Sequence, residues 1–235
     1  MTRTLAALAF AVCTASAAFS QTSITSCGSI VPPRGTGVVA NDITCSPSDP
    51  FVVRVDDRAK LNLAGHTLSG GVRGVHCTGK CVLSSTGGPA TIRDADTGLN
   101  VTGSRARFSD LNFDNNSNNI LCNVSTTKLR GERVNINGGG QLGIQAARVH
   151  IAGLTITGAS PGIRAQSTTL EGGSSITGSL GGIQGGKVRL VNSTVTGNTP
   201  WDLQTLTRPR LTASTCDRSQ NLANPSQNWG VCSLD

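Results

Sequence analysis

Three acids are spaced to act together. Asp94 and Asp96 lie two residues apart, and Asp114 follows about twenty residues later, beside Asn115. Carboxylate and amide oxygens are the ligands that Ca2+ takes, so this trio is the one cation site the sequence suggests. Asp and Asn are also ordinary residues of tight turns, and a chain with no cofactor is the simpler expectation. The cations are more numerous: 20 Lys and Arg stand against 13 Asp and Glu, a formal charge of +7. Lys60, Arg105, Arg107, Lys128, Arg130, Arg148, Lys187, Arg189, Arg208 and Arg210 fall near one phase of a regular spacing. From Lys60 through Arg105, Lys128, Arg148 and Lys187 to Arg208, the steps are 45, 23, 20, 39 and 21 residues. In a coil whose period is about one such step, equal phase means one face. A stripe of exposed cations attracts polyanions. It also blocks strand edges and keeps a surface soluble.

Cysteine is the other reactive residue type. Cys27 and Cys45 bracket one segment, Cys77 and Cys81 a short turn, and Cys216 and Cys232 the last segment, so nearest-neighbour disulfides are expected. Zinc is disfavoured because no second Cys/His pair has its spacing. Disulfides imply an oxidising compartment, and residues 1–20 supply a route to one. Arg3, an apolar stretch from Leu5 to Val12 and then small residues have the layout of a secretory signal peptide, with Gln21 the preferred mature start. No apolar run reaches the roughly 18 residues of a membrane span. Charged residues are 14% and aromatics 3% of the chain. That excludes a coiled coil or a charged disordered chain.

The elements that position these residues repeat. One apolar column is Leu68, Ile92, Phe113, Ile136, Ile156, Ile176 and Val195; a second is Val75, Leu99, Ile120, Ile144, Ile163, Ile183 and Leu203. The second trails the first by 7 or 8 residues at every level. A looser third column runs Leu83, Phe108, Leu129, Ile151, Leu170 and Leu190. Around the second column the pattern is in-out-in, as in Leu99-Asn100-Val101 and Ile163-Arg164-Ala165, which is strand alternation. Cys122 then falls at an inward position shared with Val101, Ala146 and Ala165, where a small apolar side chain belongs. Three strands per turn predict an all-β, single-stranded right-handed parallel β-helix, a three-sheet solenoid of about seven to eight turns. The expected layout is a signal peptide at 1–20, an N-terminal cap and first turn at 21–58, repeats at 59–206 and a disulfide-closed C-terminal cap at 207–235.

Leu61-Asn62-Leu63-Ala64-Gly65-His66-Thr67-Leu68-Ser69-Gly70 resembles the L-D-L-N-G-H-T-I-x-G segment of secreted right-handed parallel β-helix repeat proteins. Cys27-Gly28 and Ile43-Thr44-Cys45 resemble the cysteine-flanked cap of that group. Ile156-Thr157-Gly158, Ile176-Thr177-Gly178 and Val195-Thr196-Gly197 resemble its repeat motif. The resemblance spans about Cys27 to Leu203 and implies the pectin-lyase-like superfamily, which includes pectate lyases, polygalacturonases, alginate-modifying enzymes and proteins with no assigned activity. It departs at Ala64, where Asn is usual. Lyases of this kind need a cation or acid cluster against a uronate carboxylate and a base for the C5 proton. Asp56-Asp57 resembles the paired acids of the hydrolases, but their Gly-His-Gly and Arg-x-Lys segments are missing. Arg208-Pro209-Arg210 resembles part of the lyase R-x-P-x-x-R segment at the wrong spacing. His66 sits in a structural repeat motif, and the short loops leave no walls for a cleft. No residue is therefore assigned as catalytic.

The leading expectation is an exported protein that engages an acidic polysaccharide or envelope glycan without turning it over. A pectate-lyase-like lyase or glycoside hydrolase is the alternative, and a surface protein without a small ligand the third reading. The absence of an aromatic stacking platform argues against nucleic acid, and the fold should be complete as a monomer. Two further features stand apart. Thr155/Thr157, Ser175/Thr177 and Thr194/Thr196 flank inward residues and continue to Asn135/Asn137, a flat array of the kind that orders water in ice-binding solenoids; Asn112/Asp114 interrupts it. Asn100-Val-Thr102, Asn123-Val-Ser125 and Asn192-Ser-Thr194 are glycan acceptor patterns. Trp229 is expected to pack in the C-terminal cap.

Overall fold

Short strands with one apolar face cannot bury that face alone, so each repeat must lie on the next. The computed structural model describes residues 21–138 and 140–235, and the export segment at 1–20 lies outside them. Among the described residues there are twenty-three strands and no helix. The strand pairings of the ladders are parallel throughout, as a coil requires: Leu68 pairs with Ile92, Ile92 with Phe113, Phe113 with Ile136, and so on to Val195. The Val75-to-Leu203 column stacks in the same way. The chain is a right-handed parallel β-helix with three sheets, here called first, second and third after their columns.

It makes about nine turns rather than seven or eight. The difference lies at the ends. Gln21–Ile24, Ser29–Val31, Thr36–Val39, Ile43–Thr44 and Val53–Val55 are already rungs, and Arg210–Thr212, Thr215–Cys216 and Ser219–Asn221 continue the three sheets past residue 206. Strands of two to four residues give too little alternation to be read from sequence. The three expected disulfides, Cys27–Cys45, Cys77–Cys81 and Cys216–Cys232, are formed. Buried Asp202 fastens the last turn: its carboxylate accepts from the Asn198 amide (2.7 Å) and from the backbone N–H groups of Asp217 (2.8 Å) and Arg218 (2.9 Å). Trp229 joins the same cap by donating its indole N–H to the Gln220 carbonyl (3.0 Å).

The third column needs one correction. Leu129 does not stack on Phe108; it pairs with Ala106 and Val149, and Gly131 lies between Phe108 and Ile151. The slip is two residues, so Leu129 still points inward. The cause is packing volume. The Phe108 ring occupies the space a side chain at Gly131 would need, and a Cβ there would sit 2.6 Å from it. A large residue on one level is matched by none on the next.

Corners are made by residues with positive φ. After the first sheet the position is filled by Asp94, Asn115, Gly138, Gly158, Gly178 and Gly197. This explains the recurring Ile-Thr-Gly: glycine adopts the left-handed conformation at little cost, and Asp and Asn are the next most tolerant. After the third sheet, Asp110 and Arg133 take this conformation, and the Arg133 guanidinium donates both Nε and Nη2 to the Asp110 carboxylate of the preceding turn (2.6 and 2.8 Å). On the second sheet, side-chain amides bond from turn to turn. Arg164 donates to Gln184 (2.9 Å), Gln184 to Gln204 (2.7 Å) and Gln204 to Gln220 (2.6 Å).

The Phe108–Gly131 fit yields a test. Gly131→Ala destabilises the protein by about 1–3 kcal/mol through overpacking. In a Phe108→Leu background the same change costs less, because the ring it strikes is gone. Denaturant melts of the four proteins measure this coupling, and additive effects would contradict the packing described.

Candidate anion-binding face

The outer side of the third sheet carries two ranks of cations, because alternation sends every second residue outward. The first rank runs Lys80, Arg105, Lys128, Arg148, Ser167 and Lys187 in continuous register. The second runs Lys60, Val82, Arg107, Arg130, His150, Thr169, Arg189 and Arg210. All the Lys and Arg in both ranks are exposed, as is Arg208 just before the last of them. Successive rungs lie about 4.8 Å apart, so five neighbouring levels from Arg105 to Lys187 span about 19 Å with a cation on four of them.

The predicted stripe is thus one face, with one change of place. Lys60 pairs with Val82 and so belongs to the Arg107 rank, not the Arg105 rank. Turn lengths vary by a few residues near the N-terminus, and a slip of two preserves the outward direction while changing the rank. The first rank begins instead with Lys80, which the residue spacing did not single out. It was accessible from the third column: Lys80, Arg105, Arg148 and Lys187 each stand three residues before Leu83, Phe108, Ile151 and Leu190.

A groove of about 440 Å³ runs along the edge of this face, where the third sheet turns toward the first. Arg107, Arg130 and His150 form one side; Ser109, Glu132, Ala152 and Glu171 form a third row in register beside them. His150 Nε2 lies 2.7 Å from a Glu171 carboxylate oxygen and closes one end. The groove therefore presents guanidinium donors on one side and carboxylate acceptors on the other. Guanidinium groups bind carboxylates and phosphates through paired N–H donors. Sequence spacing did not reveal His150, Glu132 or Glu171, because only the pairing sets His150 in line with the cations and the two glutamates opposite them.

The acidic trio is arranged differently. Asp94 is a corner residue at the level Gly158 occupies later, with φ of 55°. Its carboxylate accepts from Asn115 Nδ2 (2.8 Å) and from the Ser69 hydroxyl (3.3 Å). Asp114 accepts from Asn137 (3.4 Å), and the Asp96 carbonyl accepts from the Asn118 backbone (2.9 Å). Among the described residues, Asp94, Asp96 and Asp114 do not bring carboxylate oxygens from all three together within 4.8 Å. Asp56 and Asp57 also serve the frame: Asp56 pairs with Arg54 (3.0 Å), and Asp57 accepts from the Lys80 backbone (2.9 Å). Cys122 is a buried free thiol whose pKa burial pushes far up, as expected of an inert core residue.

A second cluster lies on the outer face of the second sheet near the N-terminus. The His76 ring stacks on Phe51 with centroids 6.5 Å apart, and its Nδ1 lies 2.9 Å from Asn100 Oδ1. The Arg54 guanidinium sits 5.9 Å above the other ring of the pair. Asn100, the first of the glycan acceptor patterns, is thereby held half-buried, whereas Asn123 and Asn192 are exposed.

Compared with known families, curated proteins and solved structures, the chain matches none of them. What the structure defines is a parallel β-solenoid, three-sheeted and disulfide-bonded, with one strongly basic wall. No helix among the described residues is long and apolar enough to cross a membrane, and three disulfides suit an oxidising environment.

His76 and Asp110 both contribute to the acid side of stability. Burial lowers the His76 pKa below its ordinary 6.5, with the Arg73 charge acting in the same direction. Hydrogen bonds from Arg133 hold the Asp110 carboxyl below its ordinary 3.8, and the guanidinium charge adds to this. Both folded values lie below the unfolded ones. Each contribution is therefore complete above the unfolded value and is lost as pH falls through it toward the folded value. Thermal melts should show Tm falling in two limbs, the first starting near pH 6.5 and the second near pH 3.8. His76→Gln flattens the first; Asp110→Asn makes the second shallower without removing it, because the Asp42 and Asp235 carboxyls are also held below the ordinary 3.8. A first limb that persists in His76→Gln, or a second left unchanged by Asp110→Asn, would refute the assignment.

Proposed function

We propose that this protein is an exported, pectin-lyase-like β-helix that holds an anionic polysaccharide or envelope glycan along its third sheet without transforming it. The observation that carries the reading is the double rank of cations in register, with the Arg107–Arg130–His150 groove beside it. Regularly spaced, solvated cations on a rigid wall suit a polymer with a repeating negative charge better than a single small anion. Two supports are independent of the charge. The Leu61–Gly70 segment resembles secreted repeat proteins of this superfamily, and the disulfides fit export by the signal-like segment at 1–20. The absence of aromatic residues from both ranks speaks against single-stranded nucleic acid, which such grooves hold by stacking.

The groove's Glu132 and its His150–Glu171 pair favour one alternative, a lyase or hydrolase acting on uronic-acid polymers. These groups supply a carboxylate and an imidazole beside two guanidinium groups, the types such chemistry uses. Ca2+ at the acidic trio belongs to the same alternative.

Immobilised polygalacturonate or alginate should retain the protein at low salt and release it as salt rises. Arg107→Gln/Arg130→Gln should lower affinity by roughly tenfold, about 1.4 kcal/mol, while Arg34→Gln, outside both ranks, changes little. Absence of salt-sensitive retention on any anionic glycan ends the proposal. Incubation of the same polymers with and without Ca2+, followed for ultraviolet-absorbing unsaturated ends and new reducing ends, decides between holding and turnover.

A further inference from the structure

The outer side of the first sheet has the opposite character. Its leading rank is Thr67, Thr91, Asn112, Asn135, Thr155, Ser175, Thr194 and Thr215, in register over eight consecutive levels. A parallel rank, two residues further along each strand, is Ser69, Arg93, Asp114, Asn137, Thr157, Thr177 and Thr196. The leading rank contains no charge and no aromatic ring. From Asn135 onward, the paired levels carry only hydroxyls and amides on both ranks. The array is therefore longer than the Thr-x-Thr motif suggests: Asn112 continues the leading rank, and only the second rank is broken, by Arg93 and Asp114.

Some of these groups bond to one another or to a neighbour, as Thr215 does to Thr194 (3.3 Å) and Asn137 to Asp114 (3.4 Å), but several hydroxyls face solvent alone. Among the described residues, the hydroxyls of Thr155, Thr157, Ser175, Thr177 and Thr196 make no hydrogen bond to protein. By contrast, the buried corner serines Ser174, Ser179 and Ser193 are all satisfied. Between the ranks, Ile156, Ile176 and Val195 are fully buried and fix the backbone beneath. Thr is stiff at χ1, so hydroxyls and methyls on such a wall are held in a fixed two-dimensional pattern. Its spacing is about 4.8 Å along the coil axis and about 6.6 Å along a strand.

We propose that this face is a second binding surface whose ligand is crystalline water. From Asn135 onward a polyanion finds no charge to attract it, a sugar polymer finds no ring to stack on, and a protein partner finds none of the aromatic or Arg anchors that dominate interfaces. A lattice of water oxygens needs what the face provides from Asn135 to Thr196: donors and acceptors at a short, constant repeat, with methyl groups among them and no mobile charged side chain. The inference stands apart from glycan binding, because it uses a different wall and no cation.

The test uses the whole folded protein. Fluorescently labelled wild type should be taken up into a growing ice hemisphere, and micromolar protein should slow ice recrystallisation relative to buffer. Thr177→Lys and, separately, Thr196→Lys place a long charged side chain in the array and should abolish both effects at unchanged circular dichroism. Arg107→Gln/Arg130→Gln should leave them intact. Exclusion of the wild type from ice overturns the proposal. So does uptake that both Lys variants retain while folded.

Discussion

Everything in this molecule depends on one constraint: each aliphatic side chain must rest on its equivalent from the preceding turn while the backbones pair about 4.8 Å apart. Ile136, Ile156 and Ile176 satisfy it directly, being in register and fully or almost fully buried. Once that register is set, nothing on the outer surface is independent. Every outward residue is aligned with the outward residues above and below it, so a preference repeated in sequence becomes a rank in space. The cations of the third sheet, the amide relay of the second and the hydroxyls of the first are three results of the same stacking.

The constraint also explains where the chain uses unusual conformations. A coil of straight strands must bend three times per turn, and the bends must not disturb the columns. Asp94, Asn115 and the later glycines do this after the first sheet; Asp110 and Arg133 do it after the third. The first set leaves polar side chains that bond locally, as Asp94 does with Asn115 and Ser69. The second set is tied by a two-pronged ion pair between turns. Residue types that look chemically active are here engaged in shaping corners.

Much of this was legible because a repeat of about twenty residues displays the same decision many times. Two columns could be followed without error from Leu68 and Val75 to the last turns, and the cysteine pairs followed from their place beside the repeats. The third column was misread at Leu129, because Gly131, the true occupant, has no side chain to advertise. The extra turns at both ends escaped notice because strands as short as Ile43–Thr44 show no alternation. The cation face was visible as a phase, but its ranks were not: Lys60 was misplaced and Lys80 omitted, since a two-residue change in turn length is invisible without pairing partners. Glu132, Glu171 and His150 had no signal at all. Glu132 and Glu171 face Arg107 and Arg130, with His150 beside the two cations, in a groove that only the folded coil creates.

The nearly constant coil length in the C-terminal half has a further implication. From Ile144 to Ile163, Ile183 and Leu203, each circuit takes 19 or 20 residues and meets its neighbours through the same kinds of contact. Because such contacts are local to adjoining units, duplication or loss of one whole circuit would preserve every remaining junction and simply alter the reach of all three walls at once. Evolution could thus adjust the length of the walls, like adding or removing links, without redesigning either end.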